Sequence, residues 1–212
     1  MIVRHCMSSP VFTQSPEKPV DAAMRDFRTR RIRRAPVLEN GEMIGIVSQR
    51  DLLDVLPGTL PQLLAVGEAA LDTPVRDVMS SEVHTIRPEQ PLEDAAQIML
   101  EQRVGGLPVV DESGLLGIIT ESDIFRALWD VLTFDGGRRL MVRERSGAEG
   151  APHDYVVSAV NAGCSVRTLL HQHLTDGTVA TLLVLDGADV DRVADEIRVR
   201  AGVLAVDELG GG

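Results

Sequence analysis

Two stretches of this sequence carry residues that could do chemistry, at a spacing that could bring them together. In Leu115-Leu116-Gly117-Ile118-Ile119-Thr120-Glu121-Ser122-Asp123-Ile124 an apolar run ends in a hydroxyl, and a carboxylate follows three residues on. Met43-Ile44-Gly45-Ile46-Val47-Ser48-Gln49-Arg50-Asp51-Leu52 repeats the arrangement. The β-branched residues suit a buried strand, and Thr120 or Ser48 can end it and cap a helix. Backbone N–H groups and the dipole at that helix start favour an anion. The carboxylate can accept two hydrogen bonds from a vicinal diol such as a ribose. Together these groups suit a nucleotide. They equally fit a plain capping box closed by Asp51 and Asp123, and both readings stand at this point.

The elements that must position these residues occur twice. Sliding residues 3–52 over 75–124 by 72 positions needs no gap and aligns about 17 identical residues in about 50, so the segment is an internal duplication. Each copy has one plan. A polar opening (Met7 to Pro10; Met79 to Glu82) leads to a short extended piece, Val11-Phe12-Thr13 or Val83-His84-Thr85-Ile86, stopped by Pro16 or Pro88. A helix follows, with an apolar stripe of Val20, Ala23, Met24 and Phe27, or of Leu92, Ala95, Ala96, Met99 and Leu100. A strand then begins at Pro36 or Pro108. A turn at Glu39-Asn40-Gly41-Glu42 or Asp111-Glu112-Ser113-Gly114 closes a hairpin. The second hairpin strand ends at the hydroxyl and carboxylate, and a last helix starts. Each copy is β-α-β-β-α.

Pro57 to Pro61 reads as a break between the copies, with a short helix over Gln62 to Leu71. After Trp129 the texture changes. Thr133 to Gly137 reads as a linker, Arg138 to Arg145 as a strand, and Ser146 to Pro152 as a loop. Tyr155 to Ala162 reads as a helix stopped by Gly163. Val166 to Leu174 and Val179 to Leu185 are strands joined by a tight turn at Asp176-Gly177. Asp189 to Arg200 is a helix, Val203 to Val206 a strand, and Gly210 to Gly212 a tail. The order β-α-β-β-α-β is ferredoxin-like.

The paired Gly-Ile-Val-Ser-x-x-Asp and Gly-Ile-Ile-Thr-x-x-Asp ends, the Ala35-Pro36-Val37 and Leu107-Pro108-Val109 strand starts and the Met-Ser-Ser openings resemble the cystathionine-β-synthase (CBS) domain. Two in tandem resemble a pseudo-two-fold Bateman module, which binds adenine nucleotides or related ligands. The following segment resembles an ACT domain, a regulatory module that often binds amino acids, although the usual Pro-Gly turn appears only loosely as Glu149-Gly150-Ala151-Pro152. The whole layout resembles the bacterial acetoin-utilisation accessory (AcuB-like) family. It implies an α+β chain of four parts: CBS motif 1 (1–56), an inter-repeat linker and helix (57–74), CBS motif 2 (75–132) and an ACT-like domain with a glycine tail (133–212).

The resemblance also implies two pockets between the repeats. One joins Thr120, Ser122 and Asp123 to Arg33, Arg34, Ala35 and Pro36; the other joins Ser48, Arg50 and Asp51 to Gly105, Gly106, Leu107 and Pro108. Thr13-Gln14 and Thr85-Ile86 should line the walls. The first pocket is the better phosphate site, because Arg34 can present a planar fork that Gly105 and Gly106 cannot. Arg50 is the substitute in the second.

The net charge of −11 argues against general nucleic-acid binding. It is uneven: about +2 over residues 1–56, about −9 over 57–130 and about −4 over 131–212. Arg25, Arg28, Arg30, Arg31, Arg33 and Arg34 hold most of the positive charge, normally the mark of a solvated helix face. No apolar run approaches the ~18 residues of a membrane span, and no apolar signal segment opens the chain, so a cytoplasmic protein is expected. Cys6 and Cys164 are in no metal spacing and read as free thiols. His171 and His173 share one strand face, a spacing that can bind zinc, but lack evident further ligands and read as solvated. Neither His5-Cys6 nor the Ser48, Asp51, Thr120 set forms a nucleophilic triad. The expectation is a regulatory protein, not an enzyme, with no required cofactor or metal. It binds AMP or another adenine nucleotide, forms a homodimer and relays ligand state to an unidentified enzyme. The alternatives are a ligand-free dimerisation module, or a nucleotide hydrolase that would need a base beyond the two aspartates.

Overall fold

A computed structural model describes residues 1–55, 71–132, 137–147 and 152–209. The inter-repeat break, most of the expected Gln62–Leu71 helix, residues 133–136, the Glu149-Gly150-Ala151 turn and the glycine tail lie outside the described residues. The chain divides into two compact units, Met1–Arg126 and Ala127–Gly212.

In the first unit the duplicated plan is realised twice. The first copy contains α1 (Val20–Arg30), β1 (Arg34–Glu39), β2 (Glu42–Ser48) and α2 (Gln49–Val55). The second contains α3 (Leu92–Gln102), β3 (Gly106–Asp111), β4 (Gly114–Thr120) and α4 (Glu121–Leu132), whose last turns belong to the second unit. The hairpins are antiparallel and share one register, with Arg34 opposite Ser48 and Gly106 opposite Thr120. Asn40 and Gly41 both have positive φ, 52° and 88°, the pair that a tight hairpin of this twist demands.

The α1 stripe is buried as its spacing requires, Val20, Ala23 and Phe27 being at most 1% exposed. In α3 only Leu92, Ala95 and Met99 bury fully; Leu100 is 79% exposed. It lies one residue past Met99, a helical step of about 100° that carries it off the stripe.

The expected opening strand of each copy is reduced to one bridge. Gln14 pairs in parallel with Val37, and Ile86 with Val109. Both bridges fall where the hairpin register slips by a bulge, at Val37/Leu38 and Val109/Val110. The bulge kinks the strand and ends the pairing there.

The opening segments are exchanged between copies. The Val3 N–H donates to the Gln90 carbonyl and the Arg4 N–H to that of Pro88; their equivalents Val75 and Arg76 donate to Lys18 and Pro16. Ser8 exchanges two backbone bonds with Ile118 on β4, and Ser80 does so with Ile46 on β2. Val75, from the second copy, belongs to the apolar core of the first. Gly117 makes this docking possible. A β-carbon there would fall 2.6 Å from the Ser8 carbonyl oxygen, and one at Gly45 would fall 2.7 Å from Met79 Sδ.

The second unit runs β5 (Arg138–Arg145), α5 (His153–Asn161), β6 (Ser165–His173), β7 (Thr178–Asp186), α6 (Val190–Arg198) and β8 (Val203–Leu209). Its antiparallel sheet has the order β6-β7-β5-β8. The helices cover a core of Leu140, Val142, Tyr155, Leu183, Leu185, Val193 and Ile197. That core contains one buried acid. Glu144 is 2% exposed and accepts a hydrogen bond from the Tyr155 hydroxyl, 2.5 Å away.

Candidate functional site: two clefts in the first unit

The hydroxyl and carboxylate at each hairpin-to-helix junction are held against each other. Asp123 Oδ2 accepts from the Thr120 N–H at 2.9 Å and from the Thr120 hydroxyl at 2.6 Å, and the residue is 6% exposed. Asp51 Oδ2 accepts from the Ser48 N–H at 2.7 Å, while the Asp51 N–H donates to Ser48 Oγ at 3.3 Å. The reciprocal capping box is therefore complete at Ser48 and Asp51, while at Thr120 and Asp123 both bonds run to the carboxylate. Capping does not consume the carboxylates. One oxygen of each caps, and Asp123 Oδ1 faces the Arg126 guanidinium at 3.6 Å.

Each junction borders a cleft. The first, of about 520 Å³, brings Thr120, Ser122 and Asp123 together with Arg33 and Arg34. Its apolar wall is Val11, Phe12, Ile32 and Ile118. The second, of about 710 Å³, brings Ser48, Arg50 and Asp51 together with Gly105 and Gly106, and its apolar residues are Ile46, Leu53 and Val104. The other predicted residues do not border either cleft. Ala35, Pro36, Leu107 and Pro108 are buried in the hairpins: as consecutive strand residues each pair faces opposite sides, and both sides are covered there. Gln14 and Ile86 are held inside by their bridges, with Gln14 Nε2 donating to Asp26 at 3.2 Å. Thr13 and Thr85, each beside a bridge residue, are half-buried outside the cleft walls.

Arg34 corrects the expectation that it serves one pocket. It lines both clefts, as do Arg33 and Gly105. Its side chain lies over the two glycines that replace the arginine pair in the second copy; a β-carbon at Gly106 would meet Arg34 Cδ at 3.0 Å. Burial draws its pKa below the usual arginine range. Glu121 on the first-cleft side and Asp51 on the second-cleft side oppose that shift, and Arg33 adds to it.

Four more arginines border the clefts. Arg30, Arg31 and Arg126 line the first and Arg103 the second. The charge run therefore borders a cleft while staying exposed apart from the half-buried Arg34, and Arg25 pairs with Asp21 along α1. Arg30 also stacks 4.0 Å from the Phe12 ring centre. Arg31 and Arg103 end α1 and α3 in the left-handed conformation, at φ 56° and 54°. Glycine is the usual residue there. A bulky residue at that position carries strain of a kind that gathers at functional sites. The identity of Arg31 and Arg103 in the duplication was the available signal. Among the described residues, no group of three or more metal-ligating side chains converges, His171 and His173 included.

The repeated hairpin-helix unit, its reciprocal openings and the paired clefts define a tandem two-cleft module, and the chain belongs to the CBS-domain family. The CBS domain matches it at residues 3–58 and again at 75–130. An uncharacterised protein of Methanocaldococcus jannaschii is 32% identical over 154 residues, which is 60% of this chain and 91% of that protein. A crystal structure from Vibrio cholerae, assigned as the acetoin utilization protein AcuB, superposes with a TM-score of 0.54 at 30% identity, covering 62% of this chain and 93% of that one. CBSX2 from Arabidopsis thaliana, crystallised in complex with AMP, superposes at 0.52 with 28% identity over 61% of this chain and 97% of its own.

Proposed function

We propose that the first unit is an adenine-nucleotide sensor that reports to a partner enzyme without turning its ligand over. The observation that carries this is the first cleft. There a fixed carboxylate, two hydroxyls and five arginines face an apolar wall. The base lies along Phe12, Ile32 and Ile118. The ribose diol meets Asp123 Oδ1, the oxygen that Thr120 leaves free, and the phosphate meets Ser122 and the guanidinium forks. Ser48, Asp51 and Arg50 take the same parts in the second cleft. The AMP bound by CBSX2 supports an adenine ligand. Binding would shift the population of arrangements of the two copies. The second unit serves as an ACT-like effector module, for which its element and sheet order is the support, and a link to acetoin metabolism rests on the likeness to AcuB. Titration calorimetry with AMP, ADP, ATP and S-adenosylmethionine tests the sensor: heat with at least one is expected, and silence with all four defeats it.

A second reading, homodimerisation, is favoured by Leu53 on α2 and its equivalent Phe125 on α4, which are 49% and 70% exposed. Both can operate in one molecule. Sedimentation and AMP calorimetry of wild type against Phe125→Glu, which lines neither cleft, separate them.

A further inference from the structure

We infer that the two clefts compete for one guanidinium, so that filling the first weakens the second. This rests on the clefts being anion-binding ligand sites, as proposed above.

The duplication that made the clefts keeps Arg31 as Arg103 but not the arginine pair that follows it. Arg33 and Arg34 stand where the second copy has Gly105 and Gly106, and these two side chains serve both cavities. Taken alone, the first cleft has five arginines against Glu121 and Asp123, a surplus of three positive charges; the second has four against Asp51 and Asp54, a surplus of two. Taken together the surplus is again three, because the shared pair counts once. A phosphate monoester brings about −1.5 to −2 at pH 7. One ligand therefore meets a surplus of three and leaves about +1 to +1.5 for a second, less than the charge that the second brings.

Arg34 is placed to be the contested group. It feels the charges of Glu121 and Asp51, one acid from each cleft. Its guanidinium fits above Gly105 only because that residue has no side chain: a β-carbon would fall 2.3 Å from one terminal nitrogen and 2.9 Å from Glu121 Oε2. A planar fork engaged by phosphate oxygens on one side has fewer N–H groups left for the other.

Titration calorimetry of the full chain with AMP, and separately with inorganic pyrophosphate as a base-free probe, tests this. Wild type should show two steps, the second weaker by roughly tenfold. Arg34→Ala should weaken the first step and bring the two affinities together. Gly105→Ala, which keeps every charge but displaces the fork, should do the same, and it covers the case in which Arg34→Ala does not fold. Arg126→Ala, on the first cleft alone, assigns the steps. Two equal, independent steps in wild type, or an unchanged ratio in both variants, overturn the inference. Coupled steps with pyrophosphate and none with AMP leave it standing while the nucleotide reading fails; no binding of either probe removes both.

Discussion

Asp123 and Thr120 are joined twice, one carboxylate oxygen accepting both the backbone N–H and the hydroxyl of the residue three positions earlier. The carboxylate is thus fixed in place by Oδ2, and Oδ1 is left to face the Arg126 guanidinium and, under the proposed function, the ligand. Asp123→Asn and Asp123→Ala separate the two roles. The alanine variant should lose about 0.5–2 kcal/mol of stability with the cap. The asparagine variant should keep most of that, yet bind AMP at least about tenfold more weakly for want of a charged acceptor. Urea unfolding and calorimetry on the same samples check both.

Gly117→Ala should destabilise the first unit by about 1–3 kcal/mol, the usual range for forcing a methyl into packed space. The obstacle is the Ser8 carbonyl, main chain held by two backbone bonds. Gly45→Ala should cost less, because the main-chain oxygen it meets, that of Ser80, lies at 2.9 Å rather than 2.6 Å and its nearer neighbour is the flexible Met79 side chain. Equal unfolding midpoints for the two variants would contradict this ordering.

Tyr155 is the chain's single tyrosine, so tyrosinate absorbance reports on it alone. Burial first, and then the hydrogen bond to Glu144, push its pKa well above the usual phenol value. A raised folded pKa means that this group's stabilisation is complete below the unfolded value of about 10 and is lost as pH rises beyond it. Native protein should therefore ionise Tyr155 later than urea-unfolded protein. Tyr155→Phe should cost about 1–3 kcal/mol by stranding the buried Glu144 carboxylate.

Lys18 and Asp26 give the acid-side counterpart. The hydrogen bond from Lys18, then that from Gln14, hold Asp26 below the ordinary carboxylate range, against the opposing effect of burial. Its stabilisation is present above the unfolded value of about 3.9 and is lost as pH falls through the lower folded one. Asp26→Asn should flatten the stability profile there, measured by thermal melts in a series of acidic buffers.

What the sequence discloses depends on whether a property is local. The α1 stripe, the Asn40-Gly41 turn and the Thr120-to-Asp123 junction are set by neighbours in the chain, and each was legible. The strand order of the second unit rests on long-range pairs, β5 with β7 and β8, yet follows from its element order through the few connections open to a β-α-β unit. The exchange of opening segments was not legible, because Val3 and Val75 are apolar in either arrangement and only the partner differs. The clefts divided likewise. The junction residues announced themselves by motif, whereas Arg30 and Arg31 read as surface charge and, though exposed, lie along the rim of the first cleft. Ala35 and Leu107 were placed at the site by likeness of motif, but hairpin pleating buries them.

The swap of leading segments has a consequence for ancestry and engineering alike. Removing either copy would strip the survivor of the strip that seals its sheet and leave Ile46 or Ile118 with bare main-chain donors. The smallest piece able to live independently is therefore the couple, and any recombination that shuffles such sequences has to move both together.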